Sequence, residues 1–209
     1  MPRNKYPEET VAKILEVSEK LFVEKGYEQT TIINIIDNLG GLSRGAFYHH
    51  FKHKQDVLYA VSERLFVKNR LLREAILKLR DENGMSGLDK IKKALVSAER
   101  ATSTHEIKSR SINRIEYLLS QPHFFALYAE SNMELSRMME PLVAQGMVDG
   151  SIRPSNPKIL SELFIQLMNF WLMPNIYPCD EKEVVAKMEM MKQIFDMLGF
   201  PIMDEIQTL

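Results

Sequence analysis

Apolar residues recur at helical spacing along almost the entire chain, whereas the strict alternation that marks half-buried strands is missing. This pattern predicts an all-α fold of about nine helices, the first of them from Pro7 to Lys25. Two short helices follow, one capped by Thr30 or Thr31 and the other by Ser43, with a Gly40-Gly41 turn between them. Two short helices joined in this way are typical of a helix-turn-helix.

The apolar stripe after these short helices predicts one long helix from Lys54 to about Arg80, long enough to link two bodies. We therefore expect a helix-turn-helix domain at residues 1–55 and a helical domain at residues 56–209. In packing terms, the Asn83-Gly84 loop marks the boundary. Turn and capping residues predict the remaining helices. One begins near residue 86, and the others span about 107–119, 122–145, 157–173 and 181–198.

The composition is that of an ordinary globular chain, with 45% hydrophobic residues and 27 basic side chains against 28 acidic ones. The charge is unevenly distributed, because residues 1–115 carry 21 basic and 15 acidic side chains while residues 116–209 carry 6 and 13. This asymmetry suggests two parts with different partners. A lone cysteine, Cys179, and the lack of a signal peptide or an apolar stretch of ~18 residues favour a cytoplasmic protein without membrane contact.

The most basic segment that also contains aromatic residues is SRGAFYHHFKHK at 43–54, with three cationic side chains, three histidines and no acid. It has what a major-groove helix needs, because Gly45 and Ala46 permit close approach and Arg44 can donate two hydrogen bonds to guanine. Tyr48 and the histidines offer polar tips to phosphates. Lys54 lies in the first turn of the next helix, where a bound phosphate would favour a cation.

Several of these residues also have a structural explanation. Phe47 and Phe51 form an i, i+4 pair that belongs in the core, and half-buried packing explains Tyr48 about as well as phosphate binding does. His49 and His53 have the spacing of a metal pair, but no third ligand lies nearby in the sequence. We therefore expect no metal site and interpret these histidines as solvated or phosphate-facing.

Four segments, Gly26-Tyr27, Thr30-Thr31, 42–51 and 54–58, together closely resemble the DNA-binding signature of TetR-type transcriptional regulators. The resemblance covers roughly residues 7–60, and the helix number, the chain length and the Gly-Ser-Ile-Arg-Pro turn at 150–154 are also similar. It implies that the third helix enters the major groove. It also implies base contacts from Ser43, Arg44, Gly45 and Ala46, phosphate contacts from Tyr48, His49 or His50, and Lys54, and a DNA-backbone contact from Thr31.

The helix expected at 157–173 is apolar nearly all round, and the last helix adds an apolar stripe opposite a charged face. A helix that is apolar all round must be covered on more than one face. The resemblance implies a homodimer in which two such helices from each chain form a four-helix interface, although intramolecular packing also explains the pattern. The predicted interface residues are Leu160, Phe164, Leu167, Trp171, Val184, Met188, Met191 and Phe195.

Polar residues within apolar stripes indicate where a ligand pocket would lie in the C-terminal domain. Asn132 and Asn169 occupy such positions, and a buried amide must find hydrogen-bond partners. These amides either orient an effector in a mostly apolar cavity or bond to nearby backbone or to the dimer partner. The predicted effector-binding residues are Arg114, Tyr117, Tyr128, Asn132, Asn169 and Trp171.

We therefore expect a transcriptional repressor that binds a palindromic double-stranded DNA operator as a homodimer. We expect control by a small, largely apolar effector, and no cofactor. The alternative is a helix-turn-helix adaptor that acts through protein partners without a small-molecule effector. An enzyme is not expected, because the sequence contains no HExxH, ExxH, Walker A or CxxC motif.

Overall fold

The computed structural model describes residues 7–102, 119–173 and 176–204. Over these ranges the chain forms nine α-helices and no strand, which confirms the all-α prediction. The helices are α1 Pro7–Lys25, α2 Ile32–Asp37, α3 Arg44–His50, α4 Lys54–Leu65, α5 Val67–Arg80, α6 Gly87–Thr102, α7 Pro122–Asp149, α8 Pro157–Gln166 and α9 Glu181–Met197.

Side-chain caps explain where four of these helices begin. The Thr31 hydroxyl accepts a hydrogen bond from the backbone N–H of Asn34, whose side-chain oxygen accepts one from the Thr31 N–H. This capping box opens α2, and the Ser43 hydroxyl caps α3 in a similar way. Asn156 and Asp180 cap α8 and α9. The caps expected for α2 and α3 are therefore confirmed, with Thr31 rather than Thr30 at the start of α2.

The single helix expected at 54–80 is two helices, because α4 and α5 are interrupted at Phe66. The backbone of Phe66 has a ψ of 42°, which lies outside the helical range. Its side chain is buried, and its ring lies 5.0 Å from the ring of Tyr128. Packing of this ring accounts for the break, which no local glycine or proline indicates.

The chain forms two compact units whose division differs from the expected domains at 1–55 and 56–209. The described part of the N-terminal unit is 7–66 and 119–128, and that of the C-terminal unit is 67–102, 129–173 and 176–204. The division falls at the Phe66 break, and the Asn83 loop lies inside the C-terminal unit. The helix expected at 107–119 lies outside the described residues except for its last position.

The core of the N-terminal unit holds two helices that are too short to be stable alone, since α2 has six residues and α3 has seven. Each of α1 to α4 contributes an apolar face to this core. The ring of Phe22 lies 5.4 Å from that of Tyr27 and 6.0 Å from that of Phe124. The fully buried residues of this core include Ile14, Phe22, Ile35, Leu39, Phe47, Val57, Val61 and Phe124.

The C-terminal unit packs α5 to α9 around a larger core. A side chain at Gly87, the first residue of α6, would collide with the backbone of Leu142 and Gly146, so α6 begins directly against α7. After α8 the helix continues as a π-helical segment, Leu167–Trp171, where a plain helix was expected. Fully buried members of this core include Ile91, Leu135, Met139, Val143, Phe164, Met191, Phe195, Phe200 and Ile202.

Candidate nucleic-acid interface

The third helix is anchored from one side and open on the other. Phe47 is completely buried and Phe51 nearly so, and their ring centroids lie 6.0 Å apart, which confirms that both belong to the core. The packing of these two rings fixes the orientation of α3 and leaves the outer side of the helix available for contacts. The exposed residues at its start and on its outer side are Ser43, Arg44, Gly45, Tyr48 and His49.

The turn between α2 and α3 depends on two glycines. Gly40 has a φ of 60° and Gly41 a φ of 100°, and both values lie in the left-handed region that favours glycine. Leu39, immediately before them, is completely buried and ties the end of α2 to the core. Because the end of α2 is held in the core, the backbone angles of the turn set the direction of α3.

At the start of α3, an exposed cation lies beside a residue that has no side chain. Arg44 is exposed, and no carboxylate of the described residues pairs with it. A Cβ at Gly45 would meet only the Ser43 hydroxyl, at an ordinary 3.8 Å, so the fold itself does not require glycine there. A missing side chain beside an uncompensated guanidinium is what close approach to a base edge requires.

Tyr48 and the two adjacent histidines differ in accessibility. The ring of Tyr48 packs edge-on against Phe47 at 5.5 Å, yet the residue remains 48% exposed, so both interpretations of Tyr48 fit its position. His49 is exposed. The Nε2 atom of His50 is buried and has no hydrogen-bond partner among the described atoms. His49 is therefore the more accessible of the two histidines, since the Nε2 atom of His50 does not reach solvent.

Lys54 has a structural role that the sequence did not predict. Its Nζ donates to the backbone carbonyl of Tyr27 at 2.8 Å and that of Glu28 at 3.4 Å, and it lies 4.1 Å from the centroid of the Tyr27 ring. These contacts tie the start of α4 to the loop after α1 and leave one of three N–H donors for another acceptor. Burial, together with the charges of Glu28 and Tyr59, raises the pKa of Tyr27.

Residues before and at the start of α7 complete this corner of the N-terminal unit. The Gln121 side chain accepts from the Tyr27 N–H at 3.1 Å and donates to the Phe22 carbonyl at 3.2 Å. His123 lies with its Nε2 2.5 Å from a carboxylate oxygen of Glu28. Sequence reasoning missed both residues, because their partners are more than ninety positions away.

The predicted effector-binding residues fall into three groups. Asn132 and Asn169 meet in the C-terminal unit, where the Asn169 amide donates to the Asn132 carbonyl oxygen at 2.7 Å. Trp171 lies on the same π-helical segment as Asn169, and Lys187 donates to its backbone carbonyl at 3.0 Å. Tyr128, by contrast, belongs to the N-terminal unit. Arg114 and Tyr117 lie outside the described residues.

A third asparagine, Asn69 on α5, belongs with this pair and was not predicted. Its amide donates to the Asn132 carbonyl oxygen at 2.8 Å and to the Ser131 hydroxyl at 3.2 Å. Asn69 is 4% exposed and Asn132 is completely buried. The only signal in the sequence was the position of Asn69, which is a polar residue three positions before Leu72 in the stripe of α5.

Half of the residues predicted for the dimer interface lie inside the monomer. Leu160, Phe164, Met191 and Phe195 are at most 4% exposed and belong to the core of the C-terminal unit, so this part of the prediction is corrected. The strongest apolar stripe of each helix faces its own core because that core must be filled first. Leu167, Trp171, Val184 and Met188 are half-buried. The apolar residues that α8 and α9 leave exposed are Ile159, Leu163, Val185, Met190 and Met197.

Two further findings concern the part of the chain that the structure describes. No group of three or more His, Cys, Asp or Glu side chains there is arranged to hold a metal ion. Among the same residues, no helix combines the length and the apolar character that crossing a membrane requires.

Comparison with known proteins places this geometry in a family. The model of the bacterial regulatory proteins of the tetR family matches residues 14–61, which include α2, α3 and the turn between them. The HTH-type transcriptional repressor KstR2 of Rhodococcus jostii is 30% identical over 149 residues, or 68% of this chain and 67% of that protein. The HTH-type transcriptional regulator TtgR of Pseudomonas putida is 38% identical over 58 residues, or 28% and 27% of the two chains.

A solved structure extends the similarity in fold beyond the matched segment. The complex of SmeT with triclosan superimposes with a TM-score of 0.60 at 19% identity, covering 90% of this chain and 91% of the other. At this identity the likeness concerns the fold alone. The anchored and exposed third helix, the family match and the similarity to a repressor agree, and the chain belongs to the TetR family of bacterial DNA-binding transcriptional regulators.

Proposed function

We propose that this protein is an effector-controlled transcriptional repressor that binds a palindromic operator as a homodimer. The observation that carries the proposal is the start of α3, where Arg44 and Gly45 are exposed while Phe47 anchors the helix. In this position Arg44 reads a guanine through two hydrogen bonds, and Gly45 and Ala46 allow the helix to lie deep in the major groove.

The flanking polar residues hold the recognition helix in register by contacting phosphates. Tyr48 and His49 present exposed polar tips, Ser43 and Thr31 have hydroxyl protons to donate, and Lys54 has one N–H beyond its two backbone contacts. Of the two histidines, His49 is the stronger candidate for a phosphate contact, because it is exposed while the Nε2 atom of His50 is buried.

The homodimer is supported by the apolar surface that remains on α8 and α9. Ile159 is 60% exposed and Met197 is 71% exposed, and Leu163 lies one turn from Ile159 on the same face of α8. Exposed apolar residues grouped on one pair of helices are typical of a protein interface. Two copies related by a twofold axis would present two recognition helices to an inverted repeat.

Repression and effector control are supported by the relatives. KstR2 is named a repressor, and SmeT has been solved with triclosan, a small molecule. An effector of this chain would act by favouring one spacing of the two recognition helices over another, since a ligand that binds both states equally shifts neither.

Selection of binding sites from a random duplex pool at near-physiological salt tests the proposal. Recovery of an inverted repeat is the expected result. Retention of DNA without sequence preference would contradict the assignment of the recognition helix.

Arg44→Ala tests the reading of bases. We expect the preference at one position of each half-site to be lost, at a cost of about 1 to 3 kcal/mol per bidentate pair. Arg70→Ala is the matched control, because Arg70 is an exposed arginine of the C-terminal unit that pairs with Glu74. An unchanged base preference in Arg44→Ala would show that another residue reads that base.

Ile159→Glu tests the dimer. A buried carboxylate without a partner is costly, so we expect monomers in sedimentation and a large loss of operator affinity. The control is Leu77→Glu, because Leu77 is a similarly exposed apolar residue on α5. A dimer that survives Ile159→Glu would place the interface elsewhere.

A helix-turn-helix adaptor without a small-molecule effector is the alternative. The two functions differ in one measurement, since only an effector raises the melting temperature by mass action and also changes operator affinity.

A further inference from the structure

The C-terminal unit contains a cluster of three asparagines contributed by three different elements. Asn69 comes from α5, Asn132 from α7 and Asn169 from the π-helical segment. The amides of Asn69 and Asn169 both donate to the carbonyl oxygen of Asn132, at 2.8 and 2.7 Å. The Asn169 amide also lies 3.4 Å from the carbonyl oxygen of Asn69. We call these three residues the amide cluster.

The bonding of the amide cluster is incomplete at one atom. The carbonyl oxygen of Asn132 accepts two hydrogen bonds, but its Nδ2 donor has no partner among the described residues. Asn132 is completely buried, so water at the protein surface does not satisfy this donor. Buried amide donors are almost always paired in folded proteins, and an unpaired one destabilises the fold.

The segment that carries Asn169 has a second unusual property. Leu167–Trp171 is a π-helix, which is rare and occurs frequently at functional sites. The residues that flank Asn169 are apolar and only half-buried, although they pack against the core of the unit. They are Leu167, Met168, Trp171 and Leu172. Asn169, which bonds to Asn132, therefore lies on a segment that still has apolar surface to cover.

The charges near the cluster define what it would accept. The cluster itself is uncharged, and the Ser131 hydroxyl that it contacts lies 3.4 Å from the guanidinium of Arg73. Arg73 is already paired with Glu134 at 3.0 Å. A ligand carboxylate would lose its hydration without gaining a free cation from these residues, whereas a neutral carbonyl oxygen needs only the amide donor.

We propose that the amide cluster is the polar end of the effector site and that Asn132 selects an apolar effector bearing a neutral carbonyl oxygen, which its Nδ2 donor binds. This inference rests on the proposed function, because it names the chemical class of the effector. Asn69 and Asn169 position Asn132 by saturating its oxygen, so that the nitrogen faces the ligand.

Three matched probes with one carbon skeleton test the inference on the full chain: butyrophenone, butylbenzene and phenylbutanoate. We expect butyrophenone to raise the melting temperature of the protein. It should bind about tenfold more tightly than butylbenzene, because the ketone accepts one hydrogen bond that the hydrocarbon cannot accept. The carboxylate, 4-phenylbutanoate, should bind no better than butylbenzene. The infrared carbonyl stretch of bound butyrophenone should move to lower wavenumber, as it does when a carbonyl accepts a hydrogen bond. Alkyl phenyl ketones with longer and shorter chains, each compared with the hydrocarbon of the same carbon skeleton, extend the test to probes of other sizes.

Asn132→Leu should abolish both the tenfold preference and the infrared shift while leaving the hydrocarbon bound. Ser161→Ala is the control, because it removes another buried hydrogen bond of the same unit, to the carbonyl of Pro157. Asn169→Ala serves if Asn132→Leu does not fold, and should weaken the preference in part. Equal binding of ketone and hydrocarbon, tighter binding of the carboxylate, or no binding in the whole ketone series would overturn the inference.

Operator binding measured on the same samples separates this inference from the proposed function. If the wild-type chain binds its selected operator but shows no ketone preference, only the inference fails. If the ketone binds through Asn132 but leaves operator affinity unchanged, the carbonyl site stands and its role as an effector site fails. If the chain binds no specific DNA, the proposed function fails.

Discussion

The two units use polar side chains in opposite ways. In the N-terminal unit, Arg44 and Tyr48 are exposed on a helix whose buried residue is Phe47. In the C-terminal unit, Asn69 and Asn132 are buried within an apolar core. Water satisfies the exposed groups, whereas the buried amides depend on protein or ligand atoms for every hydrogen bond.

This difference implies that binding and stability are separable on the surface and coupled in the interior. Under the proposed function, a substitution on the outer side of α3 should change affinity for DNA with little effect on folding. A substitution in the amide cluster should change the core and the proposed ligand site together. Adjacent residues of α3 with opposite burial give the sharpest test of this distinction.

Phe47→Ala and Tyr48→Ala should have opposite consequences. Phe47 is completely buried, so its truncation should lower the free energy of unfolding by about 3 to 5 kcal/mol. Tyr48 is 48% exposed, so its truncation should change stability by less than about 1 kcal/mol while weakening DNA binding through a lost phosphate contact. Urea denaturation followed by circular dichroism, with operator binding on the same samples, measures both. A comparable loss of stability in the two variants would show that Tyr48 is a packing residue.

Gly87→Ala and Gly45→Ala extend the comparison to the two units. A Cβ at Gly87 collides with backbone atoms of α7 that cannot rotate away, so we expect a loss of about 3 kcal/mol. A Cβ at Gly45 meets only the Ser43 hydroxyl, at 3.8 Å, so Gly45→Ala should leave stability unchanged or slightly higher. Operator affinity should fall in Gly45→Ala, because the added methyl separates α3 from the bases. An unaffected melting temperature in Gly87→Ala would contradict the close contact of α6 with α7.

The features that the sequence predicted depend on neighbours along the chain. The Ser43 cap is satisfied within α3, three residues away, and the Phe47–Phe51 pair is one helical turn long. Such local relations are visible in a single sequence. The start of α3 and the side of it that is buried could therefore be predicted.

The features that the sequence did not predict depend on distant residues. The break at Phe66 follows its packing on Tyr128, and Asn69 joins the amide cluster through partners more than sixty positions away. The interface prediction was wrong for Phe164 and Phe195 because periodicity identifies an apolar face but not what covers it. The C-terminal unit was thus predictable as a set of helices but not as a site.

Lys54 lies between the two kinds of behaviour, because one ammonium group has both structural contacts and a donor that remains available. Lys54→Ala removes the hydrogen bonds to Tyr27 and Glu28 and should cost about 1 kcal/mol of stability. If the remaining donor binds phosphate, the slope of log affinity against log salt should also flatten by about 0.9 per protomer.

Lys20→Ala is the control for Lys54→Ala, because Lys20 is an exposed cation of the same unit whose partner, Glu24, lies on its own helix. It removes the same charge without touching the loop after α1. A flatter slope in Lys54→Ala alone identifies a phosphate contact. An equal change of slope in both variants would show that Lys54 acts only through the overall charge of the protein. An unchanged slope in Lys54→Ala would show that Lys54 has a structural role alone, in linking α4 to Tyr27.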